Sequence, residues 1–167
     1  LFTLGQNSRT GRRETFGINV FKVREVMRRP EITAAPEMQA SVEGMVSLRG
    51  ALVPVVDLAR YAGLDTESPR DLMIVTEYNG HIQGFLVEAV DTILRIDWSQ
   101  MRVPPEMLTA NMGGLVTAVT ELVDHRLGMM LDVEKVLSEP THIDDEKLFK
   151  KIQPVRARGA KGFFADE

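Results

Sequence analysis

The sequence predicts a mainly β fold made of two small barrels, and three observations carry that expectation. Short apolar runs recur at regular spacing, Gly-rich turns separate them, and there are enough runs for two barrels divided near residues 65–70. Only short helical patterns interrupt the strands.

Leu1 to Leu4 and Phe16 to Val20 read as the first two strands, joined by a polar loop that contains Gly and Arg. Val20, Lys22 and Arg24 then alternate with Phe21, Val23 and Glu25, so one strand face is mixed rather than cleanly polar. Pro30 and Pro36 bracket an extended EITAA segment, because a residue before proline is pushed out of the helical region. Glu37 to Met45 suits a short helix ending at Gly44, a residue type that tolerates a left-handed cap. Val46 to Leu48 and Ala51 to Val56 make the next strand pair, turning at Arg49-Gly50. Pro54 has no N–H for a ladder, which demotes its run to an edge or bulged strand. Asp57 can cap the short helix LARYAG, closed by Gly63, and residues 65–69 are loop.

Leu72 to Tyr78 and His81 to Val87 flank Asn79-Gly80, residues suited to the positive φ angles of a type I′ hairpin. Ala89 to Ile96 reads as a third strand, Trp98 to Met101 as a turn of helix, and Pro104-Pro105 as an extended crossing. Leu115 to Leu122 and Leu127 to Leu131 make another hairpin, after which Asp132 caps the helix VEKVLSE, stopped by Pro140. Asp144 to Gln153 is helix-compatible and RARGAKG is a basic linker. The run Phe163-Phe164-Ala165-Asp166-Glu167 is an apolar start cut off at an acidic pair.

A chain of 167 residues, 44% hydrophobic and 26% charged, can bury a core as one ordinary domain or two small ones. No apolar run approaches the roughly 18–20 residues of a membrane span, and the first residues lack the apolar core of a secretory signal. The absence of Cys excludes disulfides and thiolate metal sites. A cytoplasmic location without membrane insertion is the expectation. The net charge of −4 argues against a dedicated nucleic-acid binder. Arg9, Arg12, Arg13, Lys22, Arg24, Arg28 and Arg29 crowd the N-terminal third and read as a solvated loop plus an exposed strand face. Basic residues on a sheet edge also discourage unwanted pairing.

No reactive centre is legible. His81, His125 and His142 fall in turns or a loop without metal-ligand spacing. Ser47 is not in a nucleophile elbow, and Ser41 has no neighbouring His. The carboxylates Asp65 with Glu67 and Asp144 with Asp145 fall in loops or at helix starts, and Gly113-Gly114 lacks a phosphate-loop context. No catalytic residue, cofactor or metal is therefore expected. Arg49 reads either as a solvated turn residue or as a charge held to brace loops or meet a partner carboxylate.

Three consecutive segments, FGINVFKVREV from Phe16, VEGMVSLRG from Val42 and LVPVVDL from Leu52, closely resemble the CheW-like domain of bacterial chemotaxis. The likeness continues through Gly84 to Val90 and Leu127 to Leu137, and the INVFKVREV wording and the tail resemble CheV, in which such a domain precedes a phosphorylatable receiver. The resemblance implies two intertwined five-stranded SH3-like barrels with short helices and a C-terminal helix. It implies a domain over 1–138, with subdomains at about 16–65 and 70–125, then a helix and basic linker over 139–162. Residues 163–167 would begin a receiver. The implied role is a scaffold, not an enzyme, that couples the cytoplasmic tip of a chemoreceptor to the regulatory domain of the histidine kinase CheA, at arrays on the inner face of the membrane. By motif match, Val23, Glu25, Gly44, Arg49, Gly50, Leu72 and Ile93 fall where the family lines its receptor groove and adjoining faces. The loop Gly5 to Glu14 departs from the family pattern, being longer and more basic. The alternatives are a stand-alone CheW coupling protein and a β-barrel that binds nucleic acid.

Overall fold

Strands that are apolar at consecutive positions must be covered on both faces, and three such runs organise this protein. The computed structural model describes residues 1–34, 40–106 and 114–138. Within them, β1 (Phe2–Gln6), β2 (Arg13–Gly17), β8 (Ala89–Val90), β9 (Met101–Arg102), β10 (Val116–Glu121) and β11 (Leu127–Leu131) form one sheet in the order β8-β1-β2-β11-β10-β9. The other sheet holds β3 (Val23–Arg28), β4 (Val42–Leu48), β5 (Ala51–Asp57), β6 (Leu72–Tyr78) and β7 (His81–Val87) in the order β3-β6-β7-β5-β4. Both sheets are mixed, with β2 parallel to β11 and β5 parallel to β7. Two short helices, α1 (Leu58–Tyr61) and α2 (Val133–Ser138), complete the described frame.

One face of the five-stranded sheet, with Val56, Ile74, Phe85 and Val87, packs in the same core as Phe2, Leu4, Phe16 and Leu131 of the six-stranded sheet. Phe2 and Phe16 stack there with ring centroids 6.1 Å apart. The opposite face, with Val46, Val53, Val55, Met73, Val75 and Leu86, forms a second core of its own. Burying each of these side chains is worth roughly 1.5–3 kcal/mol before chain entropy is set against it. The second core requires the sheet to curl, and two ion pairs join its outer strands. Arg49, at the end of β4, meets Glu25 of β3 at 3.1 Å, and Arg29, just past β3, meets Glu43 of β4 at 3.6 Å.

The expected mainly β fold holds, built on two mixed sheets, with six strands rather than five in one of them. A division near 65–70 does not separate the sheets. The five-stranded sheet takes β3–β5 from before it and β6–β7 from after it, and the six-stranded sheet likewise joins β1–β2 to β8–β11. Residues of the segment dock on the β1 end instead: Gln6 N–H donates to Ser68 Oγ at 3.0 Å and Ser8 N–H to the Asp65 carbonyl at 2.8 Å.

Several local expectations need correction. Residues 42–45 are not the end of a helix but the start of β4, because pairing with β5 buries Met45 and Val46, and tertiary packing overrides local propensity. Gly44 sits at a register shift in β4 with φ +151°, and a Cβ there would lie 2.1 Å from the Thr33 carbonyl oxygen. Pro54 lies on an interior strand, β5. Its partner Met45 spends its N–H and C=O on Thr33, so β4 asks no N–H of the proline. The strand expected over Phe16–Val20 ends at Gly17. Asn19 then caps a 3-10 turn, Val20–Lys22, by accepting from Phe21 N–H at 3.0 Å. Of Ala89 to Ile96 only Ala89–Val90 pairs as a strand. The expected loop Gly5 to Glu14 shortens to 7–12, where Asn7 Oδ1 accepts from the N–H groups of Arg9 and Thr10.

Other local readings stand. Asp57 caps α1 through Arg60 N–H at 3.3 Å, Asp132 caps α2 through Glu134 N–H at 3.0 Å, and Asn79 (φ 50°) with Gly80 (φ 77°) turns the β6–β7 hairpin. The readings placed on 35–39, on Gly113, and on 139–167, including His142, the linker and the receiver-like tail, lie outside the described residues.

Candidate functional site

The curl of the five-stranded sheet brings Glu25 and Arg49 together although they lie on elements at opposite edges of the strand order. Glu25 stands opposite Val75, on the face that lines the second core, and is half-buried. Arg49 takes φ 49° at the first position of the two-residue turn between Leu48 and Ala51, and Gly50 takes φ 81° at the second. A type I′ turn prefers Asn or Gly at its first position, so an arginine there needs another reason. Its guanidinium donates one Nη2 bond to Glu25 and remains 76% exposed. The remaining N–H donors are available to an incoming carboxylate or carbonyl.

The other sequence-derived residues separate. Val23 begins β3 opposite Thr76, half-buried against the main core. Leu72 lies at the far end of the same strand pair, opposite Arg28, and also packs against the main core. Gly44 is occupied by its contact with Thr33, whereas a Cβ on Gly50 would meet open space. Ile93 follows β8 at the edge of the other sheet and is largely exposed. Only Glu25 and Arg49 touch each other by a recorded ion pair among these residues.

Sequence reasoning missed the exposed apolar side chains of the 3-10 turn and of β3. Phe21 is 94% exposed on the 3-10 turn, and Val20 and Val26 are also exposed. Val26 stands opposite Ile74 on the sheet face away from the second core, between the exposed Arg24 and Arg28. The mixed face of FKVREV was the available signal, because an apolar residue alternating with arginines on an edge strand is not explained by a core. Lys22 holds this turn from beneath: its ammonium pairs with Glu134 of α2 and lies 5.3 Å from the Tyr78 ring centroid.

Elsewhere, the residues weighed for chemistry are engaged otherwise. His125, at φ 63° in the β10–β11 turn, faces Glu121 at 2.7 Å, and Ser41 gives its carbonyl to Asp57 N–H. Among the described residues, no group of three or more His, Asp or Glu side chains converges to hold a metal. Asp57, 3% exposed, accepts from Arg70 Nε at 3.2 Å and from the α1 cap, which makes it a brace of the crossover. On the six-stranded sheet, the Arg13 guanidinium bound two-pronged to Glu88 holds that carboxyl below its ordinary range, helped by Thr3 and opposed by partial burial. No helix among the described residues is long and apolar enough to cross a membrane.

Comparison with known proteins agrees with this geometry. A family model described as the CheW-like domain matches residues 8–141. Helicobacter pylori chemotaxis protein CheV3 is 28% identical over 156 residues, covering 90% of this chain, and the chain spans about half (50%) of that relative's length. A probable chemotaxis protein CheW of Rhizobium etli is 30% identical over 128 residues, 75% of this chain and 82% of its own. The crystal structure of the scaffolding protein TtCheW from Thermoanaerobacter tengcongensis superposes with a TM-score of 0.70 at 25% identity, covering 83% of this chain and 92% of that one. With the motifs, the paired sheets and the match over most of its length in agreement, the chain belongs to the CheW-like domain family.

Proposed function

We propose that this domain is a non-catalytic chemotaxis adaptor that couples the cytoplasmic tip of a chemoreceptor to the regulatory domain of the histidine kinase CheA. The observation that carries the reading is the exposed Arg49 in a left-handed turn, steadied by Glu25 across the curled sheet. A strained residue kept at a surface is a pointer to function. The exposed Phe21, on the 3-10 turn that leads into β3, and Val26, on the face of β3 opposite to Glu25, supply apolar area along this edge strand. A receptor helix laid on them would bury an apolar stripe, with Arg49 setting polar register. Val23, Leu72, Gly44 and Gly50 shape this surface from within or beside it, and Ile93 would extend it only if the partner reached the second sheet. Recruitment to receptor arrays at the inner face of the membrane follows from such binding.

A CheV-type protein, with a receiver after this domain, is supported by the longer Helicobacter pylori relative and by the receiver-like wording of 163–167. Retention by immobilised receptor tip and by kinase regulatory domain, tested separately, checks the adaptor reading. Binding to both is expected, and binding to neither sinks it. An immunoblot of the native protein checks the longer form, which should run at about twice the length of this chain.

A further inference from the structure

Residues 18–22 carry the chain from β2 in the six-stranded sheet to β3 in the other, and the 3-10 turn that presents Phe21 is built on this passage. The turn is bonded from within. Asn19 Oδ1 accepts from Phe21 N–H, the Asn19 carbonyl from Lys22 N–H at 3.0 Å, and the Val20 carbonyl from Val23 N–H. A single 3-10 turn does not persist on such bonds alone, because their geometry is poor and there is no further helix to propagate. Its position has to be fixed from outside.

Lys22 makes that connection. Phe21 is 94% exposed, yet the next side chain is only 22% exposed, tucked beneath the turn. Its ammonium faces the Tyr78 ring at the end of β6 and pairs with Glu134 in the first turn of α2. α2 is seated independently of this pair. Val133 and Val136 lie in the main core, Asp132 N–H donates to the Leu115 carbonyl at 2.9 Å, and Asp132 Oδ1 caps the helix. The helix is therefore the fixed end of the contact and the turn is the held end.

We infer that α2 governs partner docking without touching the partner: Glu134 is a positioning residue that, through Lys22, holds Phe21 in one place. The inference rests on the adaptor reading and deepens it. Without the carboxylate, a mostly buried ammonium loses the charge that offsets its desolvation and turns toward water. Lys22 immediately follows Phe21, so this movement unwinds the turn and frees the ring. A partner must then order the ring as it binds. Any displacement of α2 reaches the docking surface by the same route.

The test compares the parent chain with Glu134→Ala, with Glu134→Gln, which keeps an acceptor for Lys22, and with Glu134→Ala in a Phe21→Ser background. Amide hydrogen exchange, which needs no partner, should quicken about tenfold at Phe21, Lys22 and Val23 in Glu134→Ala, less in Glu134→Gln, and not at all in β5 and β7. Retention by immobilised receptor tip should weaken about three- to tenfold in Glu134→Ala, the scale of one side chain that must be ordered on binding. In the Phe21→Ser background Glu134→Ala should add nothing, which a general loss of structure would not reproduce. Circular dichroism checks folding, with Glu134→Gln as the milder variant should Glu134→Ala unfold. No retention of the parent chain overturns the adaptor reading and the docking role with it. A retained parent with unchanged exchange or retention in Glu134→Ala, or with an equal loss in the Phe21→Ser background, overturns this inference alone.

Discussion

Arg49 allows binding and stability to be separated quantitatively. At φ 49° an L residue without Asn chemistry costs roughly 1–2 kcal/mol. Its pair with Glu25, at 3.1 Å and with the guanidinium 76% exposed, returns no more than about 1 kcal/mol. The two terms nearly cancel. Arg49→Ala keeps the strained backbone and loses the pair, so unfolding free energy should fall by about 0.5–1 kcal/mol. Arg49→Gly relieves the strain, loses the pair and adds backbone entropy to the unfolded chain, so it should land within about 1 kcal/mol of the parent. Urea unfolding followed by circular dichroism measures both. Retention by receptor–kinase assemblies should nonetheless drop at least about tenfold in both variants, the scale of a lost charged anchor. Unchanged retention removes Arg49 from the site. A loss of more than about 3 kcal/mol in Arg49→Gly, the range of a broken buried pair, would show instead that the residue is a structural brace and would refute the balance argued here.

Phe21→Ser should leave the melting temperature within a few degrees, because the ring is 94% exposed, while weakening receptor retention; equal retention removes the ring from the interface. Gly44→Ala should destabilise by more than about 2 kcal/mol in urea titration, since the new methyl meets the Thr33 carbonyl oxygen at a backbone angle suited to glycine. Asp57→Asn keeps the Oδ1 that accepts from both Arg60 N–H and Arg70 Nε but removes the negative charge that the largely buried Arg70 pairs with, so a loss of about 2–4 kcal/mol is expected, and Asp57→Ala, which removes the acceptor too, should be worse. The Glu88 carboxyl titrates lower folded than unfolded. Its contribution is therefore fully present above its ordinary value of 4.5 and lost as pH falls from there through the folded pKa. Thermal unfolding from pH 6 to about 3 should show that loss in the parent and a flatter acid limb in Glu88→Gln.

How much of this was readable before any coordinates depends on whether the deciding interaction is local. Asn79-Gly80 and the Asp57 and Asp132 caps depend on residues within four positions, and all three were legible. Gly44 was not. Its segment looks helical by itself, and only the approach of Thr33 makes a strand with a left-sided glycine the better answer. Pro54 misled for the same reason: a proline is excluded from a sheet interior only where its missing donor is wanted, and Met45 bonding to Thr33 removes that demand on the β4 side. At the site, the match of motifs drew Glu25 and Arg49 together, yet their contact depends on sheet curvature across 24 positions. Phe21 was read as one position of a mixed strand face, and its outward turn was not legible because the 3-10 turn that breaks the strand is set by the Asn19 cap, which acts on the backbone rather than on the ring.

These placements separate the surface proposed to dock partners from the frame that carries it. Stability is concentrated in two cores that share the five-stranded sheet, so each of β5, β6 and β7 is fixed from both faces. The edge strands are then joined by ion pairs on partly exposed side chains, which add little energy but set where β3 and β4 lie relative to one another. The surface proposed to meet partners is drawn from these energetically inexpensive parts: a capped 3-10 turn, one edge strand and a two-residue turn. Substitutions there change recognition at small cost to folding, whereas changes at Gly44 or Asp57 alter recognition only by disturbing the frame. A rigid double core with a weakly held rim suits the docking role proposed above, because a partner must find the same surface at every encounter.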